Sequence, residues 1–169
     1  MTQSRVFVLF LHMIIPFLEL ANNSRIWIYP SSRKFYDSEI SNLKQKVETF
    51  LEGWLEDEVK CAFQLKYNRF LVFGAEKEDI KISEIDQLVA FILQLQSDYK
   101  VELLDRMNAC FKQGEYVQYK ELKEFQKLIK QKAVSKKTIV FDNLLESKKD
   151  FDSFWEIPIS ESWYSRFLK

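Results

Sequence analysis

The chain has 169 residues, of which 47% are hydrophobic and 15% aromatic, and its 25 basic and 25 acidic residues cancel. That apolar content excludes a disordered chain, and the length fits one domain with a core of ordinary size. A chain without net charge has no overall field drawing it to nucleic acid or to an anionic membrane, so either partner would need a local patch.

Arg5 precedes an apolar run over residues 6–11, and His12, Met13, Ile14, Ile15 and Pro16 follow. The run is too short to span a bilayer. Three readings stay open from the residues alone. It is an apolar extension over residues 1–23, or a signal-peptide core, or an untranslated stretch ahead of a true start at Met13. Against the signal peptide, Glu19 and Leu20 stand where a cleavage site wants small residues.

Residues 25–29, Arg-Ile-Trp-Ile-Tyr, have the composition of a strand, closed by Pro30-Ser31-Ser32. Asp37 is placed to cap a helix in which Ile40, Leu43, Val47, Phe50, Leu51 and Trp54 recur at helical spacing. Gly53 and Glu56-Asp57-Glu58 end it. Next, Cys61, Phe63, Leu65 and Tyr67 alternate with Ala62, Gln64 and Lys66, the two-residue period of a half-buried strand. Asn68-Arg69 interrupts, and the apolar run Phe70-Leu71-Val72-Phe73 closes at Gly74. A second arm apolar on both faces belongs inside a sheet and not on its edge.

Ser83 and Asp86 have the spacing of a capping box, followed by a helix facing inward through Ile85, Leu88, Val89, Ile92, Leu95 and Tyr99. Residues 107–111 extend again, Gly114 turns the chain, and residues 116–119 return. This order predicts an α+β fold with a ferredoxin-like split βαβ sheet, β-α-β-β-α-β, antiparallel throughout. The remainder reads as a helix, strand and helix added at the C-terminus, making residues 24–169 a single domain.

Few reactions fit this inventory. Gly53, Gly74 and Gly114 are the only glycines and stand apart, so neither a phosphate-binding P-loop nor a dinucleotide fingerprint is present. His12 is the only histidine, which leaves almost nothing for a Ser-His-Asp, Cys-His or zinc site. Cys61 and Cys110 read as small core residues of a reducing compartment. Glu76, Glu78 and Asp79 share a charged loop without the pattern of a calcium site. No cofactor and no metal is expected.

Asp105-Arg106 is either a local ion pair or part of a cleft. Arg25, Trp27, Tyr29 and Arg33 on the first strand and its exit interleave bases with aromatics, as do Lys66, Tyr67, Arg69, Phe70 and Phe73 on the hairpin. RNA-binding sheets of this strand order display aromatics for base stacking, but the glycine of their signature run is missing here and the charge is balanced.

Several segments together carry a family resemblance: residues 25–35 (Arg-Ile-Trp-Ile-Tyr-Pro-Ser-Ser-Arg-Lys-Phe), 67–72 (Tyr-Asn-Arg-Phe-Leu-Val), Ile85-Asp86, and Leu104-Asp105-Arg106. Residues 140–144 (Val-Phe-Asp-Asn-Leu), 155–158 (Trp-Glu-Ile-Pro) and 162–166 (Ser-Trp-Tyr-Ser-Arg) complete the set. Over residues 14–168 the chain resembles a family of small bacterial proteins often labelled "ABC transporter ATPase", whose motifs carry no known chemistry. The resemblance implies a start at Met13 and a cytoplasmic protein. The transporter label conflicts with the glycine inventory. Relatives carry Cys-Ser ahead of the Ile-Asp, where Ser83-Glu84 stands here, and a histidine after the tryptophan, where Leu55-Glu56-Asp57 stands.

The expectation is a soluble cytoplasmic protein without a membrane span. It acts non-catalytically and binds a protein partner or small ligand through residues 25–35 and 67–69. An enzyme using Asp105 and Arg106 is the alternative, and an RNA-binding βαββαβ sheet, disfavoured by charge, is the third.

Overall fold

The computed structural model describes residues 13–169. The readings placed on residues 5–12, His12 among them, lie outside the described residues. The remainder is an α+β fold of four helices and two antiparallel sheets.

In the first sheet β1 (Arg25–Pro30) and β2 (Cys61–Lys66) flank β3 (Phe70–Ala75), in the order β1-β3-β2. All six residues of β3 are buried, as a run apolar on both faces requires. The hairpin closes through Tyr67 and Asn68, both at positive φ (54° and 50°), with the Arg69 N–H donating to the Lys66 carbonyl at 3.0 Å. Two successive left-handed residues at the centre of the Lys66–Arg69 turn, within a three-residue connection, are the mark of the type I′ family, whose twist suits the strands it joins.

Helices α1 (Asp37–Trp54) and α2 (Ile82–Tyr99) cover one face of this sheet. Leu43, Val47, Leu51 and Trp54 of α1 and Leu88, Ile92 and Leu95 of α2 pack with Tyr29, Leu71 and Phe73. The Phe50 and Phe91 rings stack between the helices, 4.3 Å apart.

Both caps differ from the sequence reading by a few residues. Tyr36 holds the N-cap position of α1, its N–H donating to Glu39 Oε1 at 2.8 Å, and Asp37 is the first helical residue. At α2 the N-cap is Lys81, and the carboxylate that turns back to its N–H is Glu84 at 3.0 Å, not Asp86.

The second sheet holds β4 (Asn108–Gln113), β5 (Tyr116–Glu121), β6 (Ile139–Phe141) and β7 (Glu156–Pro158), ordered β5-β4-β6-β7. This corrects the ferredoxin-like expectation. The first three strands stand as a split βαβ sheet would place them, but the fourth, β4, pairs with β5 and β6 and not with β1.

The physical reason is that the outer edge of β1 is already taken. Ile26 N–H donates to the Glu146 carbonyl at 2.9 Å, Lys148 N–H to the Ser24 carbonyl at 3.0 Å, and Arg106 Nη1 to the Ile28 carbonyl at 3.2 Å. A strap from the C-terminal region and one guanidinium bond the groups that a fourth strand would have bonded. The C-terminal region is therefore half of the second sheet and not an addition to a finished core.

Helix α3 (Leu122–Lys130) covers the second sheet, its Phe125 ring 5.0 Å from Phe111. Ser147 caps α4 (Lys148–Phe154) by accepting from the Asp150 N–H at 3.2 Å.

Between the sheets lies a second core, in which Ile26, Ile28, Phe70 and Val72 meet Cys110, Phe141, Phe151 and Trp155. Phe17 and Leu20, assigned by sequence to the N-terminal extension, are buried in it. Their packing explains Gly74, where an added Cβ would overlap Leu20 Cδ1. Among the described residues no helix is long and apolar enough to cross a membrane.

Candidate functional site

The seven residues singled out from sequence divide between three places. Arg25 and Trp27 lie at the start of β1, where Trp27 packs edge-on against Trp54 at 5.4 Å and Arg25 stands 5.5 Å from the Trp27 ring. Arg33 is fully engaged in tying the loop after β1 to both helices. It forks onto Glu39 at 2.8 and 3.1 Å, and Nη2 also donates to the Tyr99 carbonyl at 2.7 Å. Tyr29, Arg69, Asp105 and Arg106 gather at the other end of β1, where Pro30 pairs with Phe70.

The first sheet offers no stacking platform for bases. Tyr29 is buried, Trp27 packs against the helix-side core, and Ile26, Ile28 and the whole of β3 are covered by the core between the sheets. RNA-binding sheets need those aromatics on an open face.

A cleft of about 90 Å³ opens beside Pro30. Asp105, Arg106 and Asn108 come from the approach to β4 and its first residue, Asp142, Asn143 and Leu144 from the loop leaving β6, and Ser162, Trp163 and Tyr164 from the last turn of the chain. Short-range hydrogen bonds fix each piece. Asp105 Oδ1 accepts from the Met107 N–H at 2.8 Å and Asp142 Oδ1 from the Leu144 N–H at 3.1 Å, so both aspartates close a turn on their own backbone. Asn143 Oδ1 accepts from Trp155 Nε1 at 2.9 Å, and Ser162 Oγ accepts from the Tyr164 N–H at 3.1 Å. Besides its bond to the Ile28 carbonyl, Arg106 stands 5.6 Å from the Tyr29 ring.

The mouth of the cleft is apolar. Leu144 is 73% exposed and Trp163 is 53% exposed, with the Arg166 guanidinium 4.1 Å from the Trp163 ring.

Behind the lining lies a desolvated layer. Cys110 Sγ is 3.6 Å from Asn108 Oδ1, and Arg69 Nη1 is buried with no hydrogen-bond partner. Burial pushes the Tyr29 hydroxyl up to about 12 against the pull of Arg106, Cys110 up to about 12, and Tyr164 up to about 12. Tyr119 is raised as well, by burial first and then by Asp105. These groups keep their protons at neutral pH. They can donate hydrogen bonds but do not supply an activated nucleophile, which needs a lowered value.

The glycines are accounted for by packing and turns: Gly53 lies inside α1, Gly74 inside β3, and Gly114 (φ 62°) in the turn between β4 and β5. None sits between a strand and the helix that follows it, where a phosphate loop would be. Among the described residues no three of His, Cys, Asp and Glu are grouped to hold a metal.

Sequence reasoning found Asp105 and Arg106 and missed Asp142, Asn143, Ser162 and Trp163. Nothing in the residue pattern marked those four; they lie in residues 140–144 and 162–166, which the cleft brings together with residues 105–106. Compared with protein-family models, with curated proteins and with solved structures, the chain matches none.

Proposed function

We propose that the chain is a cytoplasmic, non-catalytic binding module that takes its partner or small ligand at the cleft beside Pro30. The observation that carries this reading is an exposed aromatic and an exposed leucine, Trp163 and Leu144, at the mouth of a pocket that also holds Asp105, Arg106 and Asp142. Interfaces concentrate their affinity in such an anchor beside a desolvated polar group. Of the surface expected over residues 25–35 and 67–69 only Pro30 lines this cleft, so the proposed site moves from that surface to Asp105, Arg106 and their neighbours. The cytoplasmic part rests on Cys61 and Cys110, both buried and unpaired, which fits a reducing compartment.

The test is affinity capture of the tagged chain from its host beside Trp163→Ala and Leu144→Ser, with RNA and metal measured on the same samples. A partner held by the wild type and lost from both variants, without enrichment of RNA, supports the reading. ATP turnover that follows the protein through every column would overturn it. An enzyme at Asp105 and Arg106 is the second reading, favoured by two carboxylates, Asp105 and Asp142, in one cleft. It requires a turnover that Asp105→Asn abolishes.

A further inference from the structure

Three charged side chains line the cleft, Asp105, Arg106 and Asp142, and among the described residues none of them forms an ion pair. Neutral groups hold each of them instead: Asp105 by the Met107 N–H and, at 3.5 Å, the Tyr119 hydroxyl, Asp142 by the Leu144 N–H, and the guanidinium by the Ile28 carbonyl. Charges of both signs therefore face one small cavity without neutralising one another. A purely anionic ligand would meet two carboxylates, and a purely cationic one would meet Arg106. A ligand carrying both charges finds each counter-charge already positioned and breaks no bridge on entry, which lowers the cost of binding.

Size and rim narrow the class further. About 90 Å³ is well below the roughly 300–1,000 Å³ of cofactor and drug-sized sites. It holds the charged backbone atoms of one amino acid, while a side chain would reach the apolar mouth at Leu144 and Trp163.

We infer that the cleft binds a free α-amino acid with an apolar side chain, its ammonium between Asp105 and Asp142 and its carboxylate toward Arg106. This inference rests on the cleft being the binding site proposed above.

Calorimetric titration of the full chain tests it, with L-leucine and L-phenylalanine set against N-acetyl-L-leucine, L-leucinamide, acetate and inorganic phosphate at matched ionic strength. Saturable binding of the free amino acids, weakened about tenfold or more by capping either end, is the expected result. Asp142→Asn and Asp105→Asn retain an oxygen for the turn bond while removing the charge. Each should weaken leucine binding about tenfold with an unchanged circular dichroism spectrum.

Equal binding of N-acetyl-leucine or phosphate would overturn the inference in favour of an anion site, and equal binding of leucinamide in favour of a cation site. The absence of heat with any free amino acid at millimolar concentration would overturn it outright. If capture through Trp163 persists in that last case, this inference fails while the binding module stands.

Discussion

Glu84 is the most demanding residue in the chain, with a carboxylate that is 0% exposed. Lys77 Nζ reaches it at 2.7 Å, and the N–H groups of Lys81 and Glu56 at 3.0 and 3.2 Å. Burial pushes the carboxyl up, but those donors together outweigh it and hold the group below the ordinary glutamate range. The unfolded chain therefore binds this proton more tightly than the folded one. The stability involved is present above about pH 4.3, the unfolded glutamate value, and is lost as the pH falls through the lower folded value. As the pH falls below about 5 the wild type should lose unfolding free energy more steeply than Glu84→Gln, as read by urea titration at each pH. Glu84→Ala, which leaves Lys77 with Asp57 alone and two N–H groups without their acceptor, should cost about 2–3 kcal/mol at neutral pH. The thiols give a second residue-scale outcome. Burial pushes Cys61 up to about 11 and Cys110 up to about 12. A thiol reagent at pH 8 should label neither in the native protein and both after denaturation, and rapid native labelling of Cys110 would contradict the packing described.

Elements were the most legible level. The periods of α1, α2 and the hairpin arms are local properties, and the apolar run at Phe70 announced a strand covered on both faces. The helix starts were less legible because a cap is decided by which carboxylate can reach back. Asp86 has the spacing counted from Ser83, but Glu84 has the buried donors, and a charged residue gives no sign in sequence that it will be buried with them. The hairpin turn carries its own test. Asn68 at φ 50° donates nothing through its backbone to the ladder, but its carbonyl accepts from the Phe35 N–H at 2.8 Å, so the turn also anchors the entry to α1. Asn68→Gly should be close to neutral. Asn68→Val, a β-branched residue forced into the left-handed region, should lower the unfolding free energy by about 1–2 kcal/mol, measured by denaturant titration.

At the scale of the molecule the two sheets share their central core. The Phe141 ring of β6 lies 4.7 Å from Phe70 of β3 and 4.8 Å from Trp155. Phe141→Ala should cost about 3–5 kcal/mol, and its unfolding transition should coincide whether followed by tryptophan fluorescence or by helical circular dichroism. Two separated transitions would mean that the sheets are independent units. This level was poorly legible. A strand's period states that it pairs but not with which neighbour, and nothing in residues 108–113 distinguishes pairing with β1 from pairing with β5 and β6. The cleft was half legible for the same reason: Asp105 and Arg106 are adjacent in the chain, but Asp142, Asn143, Ser162 and Trp163 reach them only because the second sheet forms as it does.

The strap along β1 also bears on synthesis. Arg25–Pro30 is made well before the carbonyl of Glu146 and the amide of Lys148 that seal its outer edge, which follow more than a hundred residues later. Until then the nascent sheet carries an open flank able to pair with any extended peptide, so β1 stays unprotected until the strap itself has been translated.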